Sequence, residues 1–208
     1  DVAAGWKPAP AGSGPDFRWP RHVFEQVLGL GRLECRHGSR FSYRSIETEV
    51  LGFCMERAAG KRLAQIVSET LWQPMGAEES ASFTVDAVGS ALADGGFSAC
   101  LRDYARLGQL YLDNGGGIIP KGWVKATRNG PFDHAEPVSP ALPEGSYRNK
   151  WWIEDPCSLA LYARGVFGQM IYVNWDWRLV AVKLSSWPEF QNTAFRIAEQ
   201  KALHVIGR

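Results

Sequence analysis

Three β-rich runs crowded into the last quarter of the chain constrain its fold most. They are "SLALYARG" (158–165), "QMIYVNW" (169–175) and "RLVAVKLSS" (178–186). "NWDW" at 174–177 is a turn between the last two, and tight turns of this kind join antiparallel neighbours. The runs therefore predict a three-stranded antiparallel meander. The following stretch, "EFQNTAFRIAEQKALHVIG", sets Phe195, Ala198, Ala202, Leu203 and Ile206 at helical spacing.

Upstream of the meander the periodicity is helical. Val23, Phe24, Val27 and Leu28 share one face of a short helix within 21–30. "LECRHGSRFSY" carries Gly38 between two extended pieces and predicts a hairpin. A longer helix follows, with Ile46, Val50, Leu51, Phe53 and Cys54 as its apolar positions. Ser45 is its N-cap, and Gly60 stops it. A second helix spans about Arg62 to Trp72, on Leu63, Ile66, Val67 and Leu71. Pro74 ends it, and "PMGAEESASFTVDAVG" connects. Ser98 caps a third helix with Leu101, Tyr104, Ala105, Leu107, Gly108 and Leu112 inward. Pro120 at N1 opens a short one to about Arg128. Residues 1–20 and 130–146, rich in proline, read as irregular segments.

Helices first, then strands, then a helix define an α+β chain: a mainly helical region over 1–146 and an antiparallel sheet backed by a C-terminal helix over 147–208. The length, 208 residues, fits one domain or two joined subdomains. Twenty-three basic residues against 22 acidic leave no basic stripe for nucleic acid. No apolar run reaches membrane-spanning length and no signal-peptide pattern opens the chain, so its partners are neither nucleic acid nor membrane. The compartment stays open. Cys35, Cys54, Cys100 and Cys157 form no C-x-x-C pair, and the histidines show no ligand spacing. The expectation is no metal and no cofactor, with Cys54 and Cys100 as buried free thiols. Trp151 and Trp152 point to opposite faces if extended, one into the core and the other over a seam or pocket.

"FSYRSIETEVLGFCMERAAGKRLAQIVSETLWQPMGAE" resembles the tyrosine segment of the β-lactamase and penicillin-binding-protein serine hydrolases. It is closest to their class C, esterase and 6-aminohexanoate-dimer hydrolase branch. "GGFSACLRDYARLGQLYLDNGG" resembles the next segment of that branch, and "YRNKWW" and "ARGVFGQMIYVNWDWRLVAVKLSSWP" the strand region of its third motif. The order of these segments from Arg32 onward is more specific than any one of them. The resemblance implies the β-lactamase/transpeptidase-like fold and acyl transfer from an ester or amide to a serine, then to water.

In that family the serine and a lysine lie on one helical turn, Ser-x-x-Lys. A phenol with a pKa of about 10 needs such a cation to act as a base near neutral pH. By the resemblance Tyr43 is the proton relay or general base. Ser45, at the last position of a Tyr-x-Asn motif, is a substrate ligand or merely a cap. The third motif falls on Val166, Phe167 and Gly168, where the usual basic and hydroxyl groups are missing, which fits an apolar ester or linear amide. The Gln169 backbone N–H is an oxyanion donor. Asp94, before Gly95-Gly96, contacts substrate or is simply a turn residue. Without the family context, Tyr43 is a packing tyrosine, and Asp103 with Arg106 a solvated helical pair.

No serine here has a lysine three positions on. The expectation is a C-terminal part of an enzyme whose nucleophile lies outside this chain, with a sheet left incomplete and an edge that pairs with the missing segment or a second chain. The competing reading is a non-catalytic binding module of the same fold.

Overall fold

The computed structural model describes residues 13–16, 18–31, 34–129, 139–155, 157 and 159–207. The irregular readings of 1–20 and 130–146 fall largely outside them. The chain forms two compact units, Asp1–Glu69 with Ala81–Ser98, and Thr70–Ser80 with Ala99–Arg208.

The first unit carries α1 (Val23–Leu28), α2 (Ser45–Ala59) and α3 (Leu63–Val67), plus a two-residue antiparallel ladder of β1 (Ser82–Phe83) and β2 (Phe97–Ser98). The Asp86 carboxylate accepts from the Val23 N–H at the start of α1. Phe24 of α1 meets Phe53 of α2 edge-on, with ring centroids 5.2 Å apart. Gly60, at φ 63°, turns the chain out of α2 as expected. Glu56 of α2 then accepts from the Leu63 N–H at 2.8 Å and satisfies an open donor of α3. α3 continues as a π-helical turn over Ser68–Trp72, so the expected second helix has its length but not its regular form. Within 34–44 the described chain makes only a turn at Gly38, closed by Ser39 N–H to Arg36 C=O, and no hairpin.

The second unit carries α4 (Leu101–Leu112), α5 (Lys121–Arg128), β3 (Ser146–Arg148), β4 (Trp151–Ile153), β5 (Ala160–Arg164), β6 (Met170–Asn174), β7 (Leu179–Lys183) and α6 (Thr193–Ile206). The strands form one antiparallel meander in chain order. The predicted three-strand meander is β5–β7. β3 and β4 extend it through the Asn149-Lys150 turn, whose two residues both have positive φ.

Alternation along the strands sorts the core into two layers. Leu161, Ile171, Val173, Val180 and Val182 join Tyr111 and Leu112 of α4 and Val124 of α5 on one face. Ala160, Tyr162, Met170, Tyr172, Leu179 and Ala181 join Leu203 of α6 on the other. Both faces are covered, which is why these strands read as continuous apolar runs. Trp151 is buried and Trp152 only half-buried, as their alternation requires.

Several local expectations are corrected. Ser98 lies in β2, and α4 starts behind Cys100 instead. Leu101 is exposed while Tyr111 is buried. Asp103 is no solvated partner of Arg106. Its fully buried carboxylate accepts from the N–H groups of Glu78 and Glu79, the Cys100 thiol and Arg106. Burial pushes its pKa up, but these donors together hold it below the usual value. Pro120 is the N-cap of α5, one position before N1. Cys54 is exposed, and Cys100 is half-buried. In α6 only Leu203 of the expected apolar set is buried, and Ile206 is 70% exposed. The packed side of α6 is polar: Gln200 and His204 bind the buried Glu154 at 2.6 and 2.8 Å, and Glu199 pairs with Lys183 of β7.

Candidate functional site

Tyr43 stands in an extended stretch two residues before α2. Arg44 is the N-cap, with no side-chain cap bond, and Ser45 is the first helical residue. The expected Ser45 cap is therefore corrected. Arg44 turns outward, with its Nε donating to Ser42 and its guanidinium paired with Glu34. The helix thus begins one residue too early for the Ser45 hydroxyl to serve as N-cap acceptor.

One turn further along α2, Glu49 is only 4% exposed. Its Oε2 accepts from the Ala93 N–H and its Oε1 from the Asp94 N–H, both at 3.1 Å. One turn beyond that, Gly52 lets the same segment lie close. A Cβ there would stand 3.0 Å from that of Ala93. Asp94 is thereby brought near Tyr43. Tyr43 is 55% exposed, yet partial loss of water around its ring, then the Asp94 charge, pushes its phenol above the usual value. Burial also pushes Glu49 up, as does its hydrogen bond with the Asp94 side chain, against the pull of the two N–H groups. Tyr43, Asp94 and Glu49 thus form one electrostatic cluster, and its phenol is neutral at neutral pH.

In the second unit, Val166, Phe167 and Gly168 form a single 3-10 turn between β5 and β6. Phe167 has φ 54° and Gly168 φ 87°. A left-handed phenylalanine is strained, so its surroundings must hold it there. The Phe167 N–H donates to Phe190 C=O at 3.0 Å, and the Trp187 N–H donates to Phe167 C=O at 3.1 Å. The Trp187 indole lies against Gly168, where a Cβ would come within 2.4 Å of Cε2. Val166 and Phe167 are exposed and make an apolar lip, with Phe190 edge-on to Phe167.

The Gln169 side chain donates to Ser185 C=O and accepts from Ser185 N–H, two bonds that tie the turn to the end of β7. Arg196 of α6 donates to the carbonyls of Gly165 and Gln169. The Gln169 N–H closes the 3-10 turn on Val166 C=O at 3.4 Å, a long bond that leaves this donor weakly held.

The structure thus brings Tyr43 and Asp94 together in one unit, and Val166, Phe167, Gly168 and Gln169 together in the other. Sequence reasoning missed Glu49 and the Gln169 side chain. Glu49, Gly52 and Glu56 form the packed side of α2, but two carboxylates and a glycine do not mark a buried stripe in the sequence. Among the described residues no three His, Cys, Asp or Glu side chains are grouped to hold a metal ion, and no helix is long and apolar enough to cross a membrane.

The helices and the helix-covered antiparallel sheet are those of the β-lactamase/transpeptidase-like fold. The chain belongs to the Beta-lactamase family, a family of hydrolases, whose profile matches residues 3–205. It is 36% identical over 196 residues to a 6-aminohexanoate-dimer hydrolase of Paenarthrobacter ureafaciens, covering 91% of this chain and 48% of that one. A solved structure from Bacillus anthracis, for which 6-aminohexanoate-dimer hydrolase is the proposed identity, superposes with a TM-score of 0.82 at 27% identity. That match covers 98% of this chain and 52% of the other. EstCE1, a hydrolase with promiscuous acyltransferase activity, shares the fold with a TM-score of 0.71 at 17% identity, over 86% of this chain and 60% of its own. The chain spans about half the length of the 6-aminohexanoate-dimer hydrolase relative.

Proposed function

We propose that this chain supplies the proton-transfer residue and the strand-edge oxyanion donor of a serine hydrolase that cleaves an apolar ester or a linear amide through an acyl-enzyme. The observation that carries this reading is Tyr43 at the entrance of α2, within reach of the Asp94 charge, in a chain 36% identical over 196 residues to the 6-aminohexanoate-dimer hydrolase relative. The nucleophilic serine and its lysine lie on residues outside these 208.

The serine hydroxyl attacks the carbonyl carbon while Tyr43 takes its proton, directly or as a relay. The proton then goes to the departing alcohol or amine. In the second half, water attacks the acyl-serine and Tyr43 moves the proton the same way. As described, the phenol is a neutral donor, suited to the acid role. The base role needs the lysine ammonium, whose charge opposes that of Asp94. The Gln169 N–H turns from its long bond toward the developing oxyanion, paired with the N–H of the serine itself. Ser45, exposed in the first turn of α2, is available as a hydroxyl ligand, and Val166 and Phe167 line the acyl side. A segment bearing the serine and lysine would find β7, one of the two outer strands of the meander, and exposed Ile197, Val205 and Ile206 of α6 to pack on.

The test is a chromogenic short-chain ester. The 208-residue chain alone is inert, and the protein carrying a Ser-x-x-Lys segment as well turns over. Tyr43→Phe then lowers kcat roughly 10²- to 10⁴-fold. An active protein indifferent to that change would sink the assignment of Tyr43. The absence of Ser-x-x-Lys and the apolar Val166-Phe167 favour a second reading, a non-catalytic binding module. It gains if the protein, complete with its upstream region, also lacks Ser-x-x-Lys.

A further inference from the structure

We propose that Glu49 is a positioning residue of this site: from α2 it grips the backbone N–H groups of Ala93 and Asp94 and so fixes the Asp94 carboxylate, whose charge reaches Tyr43. The meaning for catalysis rests on the reading of Tyr43 as the proton-transfer residue.

A carboxylate with 4% exposure is costly to bury unless its oxygens are paired. Here each oxygen takes one of two consecutive backbone N–H groups. Two bonds to successive peptide units fix the orientation of the chain between them, and thereby the direction in which Asp94 leaves it. Only a carboxylate has two acceptor oxygens for this task. The amide of glutamine would set an NH2 against one of the N–H donors.

The segment needs this grip. Asp94 precedes the Gly95-Gly96 pair, the most permissive backbone available. Gly96 N–H bonds to Leu92 C=O, and Thr84 N–H to Gly96 C=O, so the turn is tied at its two ends. Glu49 holds its middle. Gly52, against which Ala93 packs, and Leu63, 3.7 Å from a Cβ built at Gly52, close the space behind the clamp. Tyr43 lies just before α2 and Glu49 one turn inside it, so a single helix carries both the phenol and the clamp that sets its neighbour.

The test reads the Tyr43 ring by NMR in this chain, with tyrosine ring carbons labelled and the signal assigned by its loss in Tyr43→Phe. Asp94→Asn sets the scale: the phenolate fraction at a fixed pH below the midpoint rises roughly threefold or more. Glu49→Asp keeps the charge but is one methylene too short for both bonds. It is expected to raise the fraction by most of the same factor and to speed amide exchange at Ala93 and Asp94. Glu49→Gln is expected to do likewise, and Glu49→Gln with Asp94→Asn to go no further than Asp94→Asn alone.

If Glu49→Asp leaves both the phenol and the two amides unchanged, the inference is overturned. It is overturned as well if Glu49→Gln adds in full to Asp94→Asn, because Glu49 would then act by its own charge. Should the variants not fold, fast exchange of the Ala93 and Asp94 amides in the unaltered chain overturns it and strong protection supports it. An inactive assembled hydrolase would refute the proposed function and leave these readings standing. A rate that collapses on Tyr43→Phe without any such coupling would refute the clamp alone.

Discussion

Replacing Gly168 by alanine puts two separable costs on the turn between β5 and β6. At φ 87° the backbone is in a region that an L side chain adopts at a cost of about 1–2 kcal/mol. The new Cβ would lie 2.4, 2.6 and 2.7 Å from Cε2, Cδ2 and Nε1 of Trp187. These are ring atoms held between Phe195, edge-on at 5.3 Å, and the cations of Lys183 and Arg196 over the indole face. The ring cannot swing aside cheaply, and overpacking of this kind costs about 1–3 kcal/mol. Lower entropy of the unfolded chain returns about 0.4–1 kcal/mol. The net loss is about 1–4.5 kcal/mol, a sizeable part of the roughly 5–15 kcal/mol typical of a domain. Equilibrium urea unfolding followed by circular dichroism reads it as a lower midpoint at unchanged slope. In a Trp187→Leu background the steric part disappears, and Gly168→Ala then costs only about 0–1.5 kcal/mol after the same entropy return. A loss below about 0.5 kcal/mol in the first case, or an equal loss in both backgrounds, would refute the close packing of Trp187 on Gly168 as the source.

Two further outcomes follow from the same geometry. The raised pKa of Glu49 comes from burial and then its bond to Asp94, so its contribution to stability is complete below the usual 4.5 and is lost as pH rises through the folded value. Asp86 has the opposite sign: burial raises it, but the N–H groups of Ser90, Val23 and Val88 win, so its contribution is present above 3.8 and lost as pH falls through the folded value. Urea midpoints across pH should lose the decline above 4.5 in Glu49→Gln and part of the acid limb in Asp86→Asn, and identical profiles would refute both. Phe167→Gly should change stability by less than about 1 kcal/mol, because relief of left-handed strain offsets the lost edge contact with Phe190. In the assembled hydrolase it should flatten the preference for longer acyl chains, and an unchanged chain-length profile would exclude Phe167 from the acyl wall.

The strands were legible because their residues alternate between two apolar layers. Ile171 and Val173 face α4 while Met170 and Tyr172 face α6, so nearly every position is apolar and no helix period fits. β3 and β4 showed only through the family resemblance of "YRNKWW" and not through a residue pattern of their own, because they have three residues each and are joined by Asn149 and Lys150, which take positive φ without glycine. The sense of α6 was missed for a different reason. Apolar spacing marks the packed face only when the layer beneath is apolar throughout, and here that layer holds Glu154 and Lys183 among its tyrosines and alanines. Polar partners turned the helix so that Arg196, Glu199, Gln200 and His204 face inward.

The same reversal explains what could be read of the candidate site. Tyr43, Asp94 and the Gly168 turn stood out through segment order. The groups that hold them did not, because each is a polar side chain binding backbone, and backbone partners leave no trace in sequence spacing. Glu49 sits among Ile46, Val50 and Phe53 and looks like the solvated member of an amphipathic helix. Yet it is buried while Val50 is exposed. Gln169 looks like the first residue of a strand, yet its amide bonds to Ser185, sixteen residues away. A carboxylate or amide can satisfy two peptide groups at once, and an apolar side chain cannot. Where a turn must be aimed as well as packed, a polar residue on the buried face is therefore the physical signature of the aiming, and α2 and the β5–β6 turn each carry one.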